Sequence, residues 1–196
     1  VQDMAFLYLG LLERLGDEAV DVIGFSLGGW IALELSLIAG SRVRSLTIVS
    51  APGISVPQIA LGDIFSWPPT ERLERLVHDK SMSRRLAEAP ADDAEIARRQ
   101  QNWSVTVMLA RDAGWRSPRL DKWLHRLSMP VHIIWGENDA LFPVALAHAY
   151  KARLPGPELT IIPACGHLVH LERPTELMLG IGGEVHPPHA KKKGGK

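Results

Sequence analysis

Four short apolar segments, each a candidate β-strand, are separated along the chain by stretches of helical character. They span residues 19–23, 45–50, 131–135 and 159–162. Each segment is nearly all apolar, which is typical of strands that are buried on both faces of a sheet. Strands that alternate with helices in this way predict an α/β fold, with a parallel sheet that is covered by helices on both faces.

Residues 57–128 interrupt this alternation because they contain no convincing strand. Helical patterns cover about 70–78 and 92–113 instead. A helical insertion between two parallel strands lies naturally over the carboxyl edge of the sheet, where open sheets bind ligands. We therefore predict a core of 1–56 and 129–181 with a helical lid of 57–128. The alternative is a subdomain that only thickens the core.

Composition disfavours several classes of function. Lys+Arg and Asp+Glu both number 22, which disfavours a general nucleic-acid binder, because such a protein needs a basic surface. No stretch approaches the roughly 18 consecutive apolar residues of a membrane span, so no membrane association is expected. The single cysteine, Cys165, cannot form an intramolecular disulfide, and we predict a cytoplasmic location. Residues 182–196 are rich in Gly, Pro and Lys and are predicted to be a disordered tail.

Ser26 lies in the pattern G-x-S-x-G, between a predicted strand and a predicted helix. A tight strand-to-helix turn lifts a serine hydroxyl clear of the sheet, and its neighbours must be small because strand and helix nearly touch. Gly24 and Gly28 meet this requirement. The amide of Leu27 would point to the place where an oxyanion forms. The pattern therefore favours Ser26 as a nucleophile.

A serine nucleophile needs a base, and the base needs an orienting acid. Asp139 follows the third predicted strand, and His167 follows the fourth. Because the carboxyl ends of parallel strands meet at one edge of a sheet, both side chains can converge on Ser26 although they are distant in sequence. Glu137 and His170 are the competing acid and base, since each lies close to the favoured residue.

Three motifs resemble those of the α/β-hydrolase superfamily. They are G-F-S-L-G-G-W for the nucleophile elbow, W-G-E-N-D-A-L-F-P for the acid loop and P-A-C-G-H-L-V-H-L-E-R-P for the histidine loop. The similarity is closest to the lid-bearing esterases and carbon–carbon-bond hydrolases, and it extends from the first helix to about Glu176. A serine at the elbow, rather than an aspartate, argues against the epoxide-hydrolase and haloalkane-dehalogenase branches.

The resemblance implies a role for each matching residue. These roles are nucleophile for Ser26, general base for His167, orienting acid for Asp139 and oxyanion-hole donor for Leu27. The superfamily pattern places the acid two residues after Glu137, and the glycine before His167 favours that histidine over His170. The residues that flank these positions are candidates for an acyl pocket, with core packing as the equally favoured alternative. They are Phe25, Trp30, Leu141 and Phe142.

Superfamily members carry further strands before the equivalent of the first helix, together with a His-Gly loop that supplies a second oxyanion-hole amide. Nothing in residues 1–25 resembles that loop. We therefore expect an N-terminally truncated version of the fold, in which the first strand lacks a neighbour on one side. An apolar edge of this kind invites pairing with another chain, so we predict a homo-oligomer that forms through the edge strand, or a fragment that needs its other half.

Together these features predict a serine esterase that cleaves small or medium carboxylic esters through an acyl-enzyme. The expected partner is a small-molecule ester, with no cofactor and no metal. The nearest alternative is a lactonase or carbon–carbon-bond hydrolase of the same fold. An alternative from another class is a truncated, catalytically inactive hydrolase fold that serves as a binding or assembly module.

Overall fold

A computed structural model describes residues 1–182, and a four-stranded parallel sheet lies at its centre. The strands are β1 Val20–Phe25, β2 Val43–Val49, β3 Val131–Gly136 and β4 Glu158–Ile162. They are hydrogen-bonded in the order β1-β2-β3-β4, and every neighbouring pair is parallel. The four apolar segments of the sequence are therefore all strands, and the predicted parallel sheet is confirmed.

Helices cover the sheet on both faces, as predicted. In chain order they are α1 Gln2–Arg14, α2 Leu27–Ala39, α3 Pro69–Leu76, α4 Lys80–Glu88, α5 Asp93–Ala110, α6 Leu120–Trp123, α7 Ala145–Arg153, α8 Val169–Glu172 and α9 Pro174–Gly180. Helix α1 packs on α2, which lies against β1 and β2, while α7 lies against β3 and β4. Successive side chains of a strand point to opposite faces, and β3 shows the division. Ile133 and Trp135 belong to the larger apolar core, whereas Ile134 packs with Leu177 of α9 in a smaller one.

Residues 57–128, called the helical insertion below, contain α3 to α6 and contact the loops after β3 and β4. The N–H of Gly62 donates to the carbonyl of Leu141 at 2.7 Å, beyond β3. The N–H of His167 donates to the carbonyl of Leu76 at 2.8 Å, beyond β4. The insertion therefore reaches the carboxyl edge of the sheet, and its action as a lid stays a prediction.

Helix α4 is missing from the sequence-based prediction. Its only apolar residues at helical spacing are the partly buried Met82 and Leu86, one turn apart, which is too short a pattern for periodicity to identify. The start of α4 is instead fixed by a side chain, because Asp79 accepts from the N–H groups of Ser81 and Met82.

Two further predictions concern the chain ends and membranes. The predicted tail, 182–196, lies outside the described residues apart from Gly182. Within residues 1–182, every helix is too short or too polar to cross a bilayer.

Strand β1 is the edge of the sheet, and its free side has no strand partner among residues 1–182. The prediction that each strand is buried on both faces is wrong for β1, because Ile23 is 45% exposed and Phe25 is 37% exposed. The neighbouring helix α1 also exposes Phe6, Leu7 and Leu11. An apolar strand edge beside an apolar helix face is the arrangement that promotes pairing between chains.

We expect the chain to self-associate through β1 at micromolar concentration. A charge on an edge strand opposes such pairing, so Ile23→Lys should shift the elution volume in size-exclusion chromatography towards that of a single chain. Ile96→Lys is the matched control, because Ile96 is exposed to a similar extent but lies on α5 of the helical insertion. A wild-type chain that elutes as a monomer at this concentration would contradict the prediction.

Candidate active site

Ser26 occupies the sharp turn between β1 and α2. Its backbone has φ +49° and ψ −124°, a conformation that is costly for a residue with a side chain. Hydrogen bonds hold it there, because its N–H donates to the carbonyl of Val49 at 2.8 Å. The carbonyl of Ser26 in turn accepts from the N–H groups of Gly29 and Trp30, at 2.9 and 3.3 Å. The turn therefore fixes the hydroxyl at the carboxyl edge of the sheet.

Glycines permit the close approach of strand and helix at this turn. Of the two predicted glycines, however, only one is required for it. A Cβ on Gly24 would lie 2.5 Å from the carbonyl oxygen of Gly28, so only glycine fits. A Cβ on Gly28 would meet nothing within 4 Å, so the prediction that its small size is required is wrong. Gly29 has that role instead, since its Cβ would lie 2.5 Å from the Cβ of Ala51 on the segment after β2.

Asp139 is buried in the loop after β3, where it is 4% exposed. Its Oδ1 accepts from the N–H groups of Leu141 and Phe142, both at 2.9 Å. Its Oδ2 lies 2.8 Å from Nδ1 of His167. Two backbone donors therefore hold one carboxylate oxygen in place and leave the other facing the imidazole. Glu137 is exposed in the same loop, and this geometry favours Asp139 as the acid.

His167 lies between the other two side chains and is 7% exposed. Its Nε2 is 3.0 Å from Oγ of Ser26, while Nδ1 faces Asp139. In the tautomer that donates from Nδ1 to the carboxylate, the lone pair of Nε2 accepts from the serine hydroxyl. The ring also packs edge-to-face on Phe142, with ring centroids 5.3 Å apart. The structure thus joins the three side chains in one hydrogen-bonded series.

His170, the competing base, has a different environment. Its ring packs edge-to-face on Phe25, with centroids 5.4 Å apart. Burial lowers the pKa of His170, and the neighbouring His167 lowers it further. Among the described hydrogen bonds, none joins His170 to Ser26 or Asp139, so the geometry favours His167.

The four candidates for an acyl pocket divide into two groups. Trp30 and Leu141 are buried in the main core, and Nε1 of Trp30 donates to Glu34 at 3.3 Å. Core packing accounts for both residues. Phe142 is also fully buried in this core, but its ring contacts that of His167, and the partly exposed ring of Phe25 contacts that of His170. Their contact with substrate stays a prediction.

Leu27 is the first residue of α2 and directly follows the serine. The first amides of a helix have no acceptor within the helix, and the helix dipole places partial positive charge there. The N–H of Leu27 is therefore suited to donate a hydrogen bond to an oxyanion that forms on an atom bonded to Ser26.

Residues 1–182 contain no cluster of three or more His, Cys, Asp or Glu side chains that could hold a metal ion.

Residues 2–179 match the Alpha/beta hydrolase family. The chain belongs to this family. The predicted superfamily is thereby confirmed, and so is the fold, a parallel sheet flanked by helices.

Relatives of the hydrolase have more than one activity. A pimeloyl-[acyl-carrier protein] methyl ester esterase from Aromatoleum aromaticum is 30% identical, and the match covers 85% of this chain and 73% of the relative. A 2-hydroxymuconate semialdehyde hydrolase from Pseudomonas putida is 26% identical, over 93% of this chain and 69% of the relative. The crystallised meta-cleavage product hydrolase from Pseudomonas fluorescens IP01 superposes with a TM-score of 0.70 at 18% identity, over 89% and 67% of the two chains. This last similarity shows the fold alone.

Sequence reasoning missed the contacts that hold the histidine loop of the hydrolase. The carbonyl of Leu76 in the insertion accepts from His167 N–H, and the buried carboxylate of Glu172 accepts from Gly166 N–H at 2.6 Å. A single signal was available, namely Glu172 itself, which lies in the histidine-loop motif five residues after His167. The partners of that glutamate, backbone amides, leave no mark in a sequence.

We expect Gly24→Ala to lower the free energy of unfolding by about 1–3 kcal/mol or more, because the added methyl collides with backbone that cannot move aside. Gly28→Ala, in the same turn, should change it by less than about 1 kcal/mol, since the methyl meets open space. Urea unfolding followed by circular dichroism measures both. Equal losses for the two variants would contradict the steric account of the elbow.

We also expect the thiol beside the site to be unreactive in the folded hydrolase. Burial raises the pKa of Cys165 to about 12, and the carboxylate of Glu172 contributes. At pH 8 only about one thiol in 10,000 is then ionised, so N-ethylmaleimide should leave Cys165 unmodified. Mass spectrometry measures the adduct, and the same reagent in urea, where the thiol is exposed, is the control. Rapid modification of the folded chain at pH 8 would contradict this expectation.

Proposed function

We propose that the hydrolase cleaves small or medium carboxylic esters through an acyl-enzyme on Ser26. One observation carries the proposal, the hydrogen-bonded series from Asp139 through His167 to the serine hydroxyl, with distances of 2.8 and 3.0 Å. A serine is a weak nucleophile unless a positioned base takes its proton, and this series provides the base and its orienting acid.

In the acylation step, Oγ of Ser26 attacks the ester carbonyl carbon while its proton passes to Nε2 of His167. Asp139 stabilises the imidazolium that results and keeps the ring in the productive tautomer. The tetrahedral intermediate carries its negative charge on the former carbonyl oxygen, beside the N–H of Leu27. The intermediate collapses when the carbon–oxygen bond to the alcohol breaks, and His167 returns the proton to the departing oxygen.

Water completes the reaction by the same route. His167 takes a proton from a water molecule, the hydroxide attacks the acyl carbon, and the second tetrahedral intermediate releases the carboxylic acid. The proton returns to Oγ of Ser26, so the protein is regenerated without a cofactor. A second amide donor at the oxyanion would add a factor of about 100 to 1,000 in rate.

The relatives support an ester substrate and also one alternative. The relative that is 30% identical is a methyl ester esterase, which favours ester cleavage. The relative that is 26% identical is a semialdehyde hydrolase, which favours a carbon–carbon-bond hydrolase as the second candidate. The test of these two candidates is therefore which class of substrate the chain cleaves.

We expect Ser26→Ala to reduce the turnover of p-nitrophenyl acetate by at least about 1,000-fold, because the nucleophilic oxygen is lost. A fluorophosphonate probe should label the wild-type chain at Ser26 and leave the variant unlabelled, as measured by mass spectrometry. A wild-type chain that the probe labels but that leaves esters intact would favour the carbon–carbon-bond hydrolase. A wild-type chain that the probe does not label would contradict catalysis and favour a binding or assembly module.

Two histidine variants form a matched pair for this test. His167→Gln should slow both labelling and turnover by a similar large factor, since the base is removed. His170→Gln, three residues later, should retain most of the activity, because His170 contacts Phe25 rather than the serine. The opposite result would move the base to His170.

A further inference from the structure

Glu172, at the end of α8, is a buried carboxylate outside the proposed catalytic residues. It is 6% exposed, and backbone N–H groups engage both of its oxygens. Oε1 accepts from His78 at 2.7 Å and from Asp79 at 2.9 Å, and Oε2 accepts from Gly166 at 2.6 Å. The thiol of Cys165 lies farther away, with Sγ 3.9 Å from Oε2.

These amides belong to two separate parts of the chain. His78 and Asp79 lead into α4 in the helical insertion, whereas Gly166 immediately precedes His167. One carboxylate therefore ties the insertion to the loop that carries the proposed base. The bonds to His78 and Asp79 connect residues more than 90 positions apart in sequence.

A second set of contacts at the same place shows how closely the two segments meet. The carbonyl of Leu76 accepts from the N–H groups of His167 and Leu168, at 2.8 and 3.3 Å. A Cβ on Gly166 would lie 2.6 Å from that carbonyl oxygen and 2.8 Å from the nitrogen of His78. The backbone before His167 is therefore pressed directly against the insertion, with Glu172 bridging the junction.

The energetics favour a positional role for this glutamate. A buried carboxylate is costly unless hydrogen bonds or an opposite charge compensate it. Within residues 1–182, Glu172 forms no ion pair with Lys, Arg or His, so the three amides are its main compensation. Charge-assisted bonds to backbone amides are short and directional, which suits a group that fixes the path of the chain.

We propose that Glu172 is a positioning residue of the active site. By anchoring Gly166 to residues 78–79, it holds the backbone of His167 so that the imidazole reaches both Asp139 and Ser26. Through the same bonds the insertion also holds His167 in position. A displacement of residues 76–79 therefore also displaces the imidazole ring. This inference depends on the proposed function, in which His167 is the general base.

Glu172→Gln tests the inference with little change in volume. A carboxamide keeps a single acceptor oxygen, and its NH₂ group must face an N–H donor on one side of the junction. We expect kcat per active site for p-nitrophenyl acetate to fall by about 10- to 100-fold, because a misplacement of about 1 Å can cost two orders of magnitude. KM should change by less than about 3-fold, since the groups that bind the ester are untouched.

Titration with the fluorophosphonate probe separates positioning from simple loss of structure. A purely structural role would reduce the number of serines that the probe titrates but leave the turnover per titrated site unchanged. Glu176→Gln is the matched surface control, because Glu176 is exposed on α9. Leu12→Ala, in a buried position of α1, is the stability control and should lower stability without lowering turnover per site.

A lower turnover per titrated site in Glu172→Gln, with both controls unchanged, would support the proposal. Turnover per site equal to that of the wild type would overturn it. If Glu172→Gln does not fold, Glu172→Asp replaces it, since this variant keeps the charge but its shorter side chain cannot reach both segments. The same criterion on turnover per site then applies.

Amide hydrogen exchange distinguishes a failure of this inference from a failure of the proposed function. If the wild-type chain neither hydrolyses esters nor reacts with the probe, the proposed function fails, and exchange still reports on the junction. Exchange at His78, Asp79 and Gly166 should be at least about 10-fold faster in Glu172→Gln than in the wild type. Unchanged exchange at these amides would overturn the anchoring role by itself.

Discussion

Parallel pairing of the four strands is the constraint on which the site depends. Because the strands run in the same direction, their carboxyl ends form one edge, with Phe25 of β1 beside Val49 of β2 and Gly136 of β3 beside Ile162 of β4. Ser26 directly follows β1, and the acid and histidine loops follow β3 and β4. The order and direction of the strands therefore bring together three side chains that are far apart in sequence.

Unfavourable features are concentrated at this edge. The positive φ of Ser26 costs roughly 1–3 kcal/mol, and the carboxylates of Asp139 and Glu172 are both removed from water. Backbone N–H groups compensate each carboxylate, two at Asp139 and three at Glu172. Strain and buried charge that gather at one place are characteristic of a functional site.

The sequence was informative where the type of side chain at a position indicates its place in the fold. Apolar runs identified all four strands, and Ser26, Asp139 and His167 could be proposed as catalytic residues because each follows one of them. The sequence was silent where the backbone is the partner. Glycine is required at position 29 because Ala51 lies close to it. The role of Glu172 depends on backbone N–H groups, which are not specific to a residue type. Glu172 itself lies in the histidine-loop motif, but its partners at residues 78–79 follow from the fold.

The two buried carboxylates act on the proposed base from different directions. Asp139 contacts the ring of His167 and sets its rotation and tautomer. Glu172 instead contacts the backbone of Gly166 and sets the position of the backbone that carries the ring. A ring that has the correct rotation but is displaced by about an ångström no longer hydrogen-bonds to Ser26. A ring in the correct place with the wrong rotation does not hydrogen-bond to it either. Because Glu172 takes its other bonds from the insertion, the part of the chain that could select the substrate also supports the base. Changes in the insertion should therefore alter the rate of the chemical step as well as the affinity for substrate.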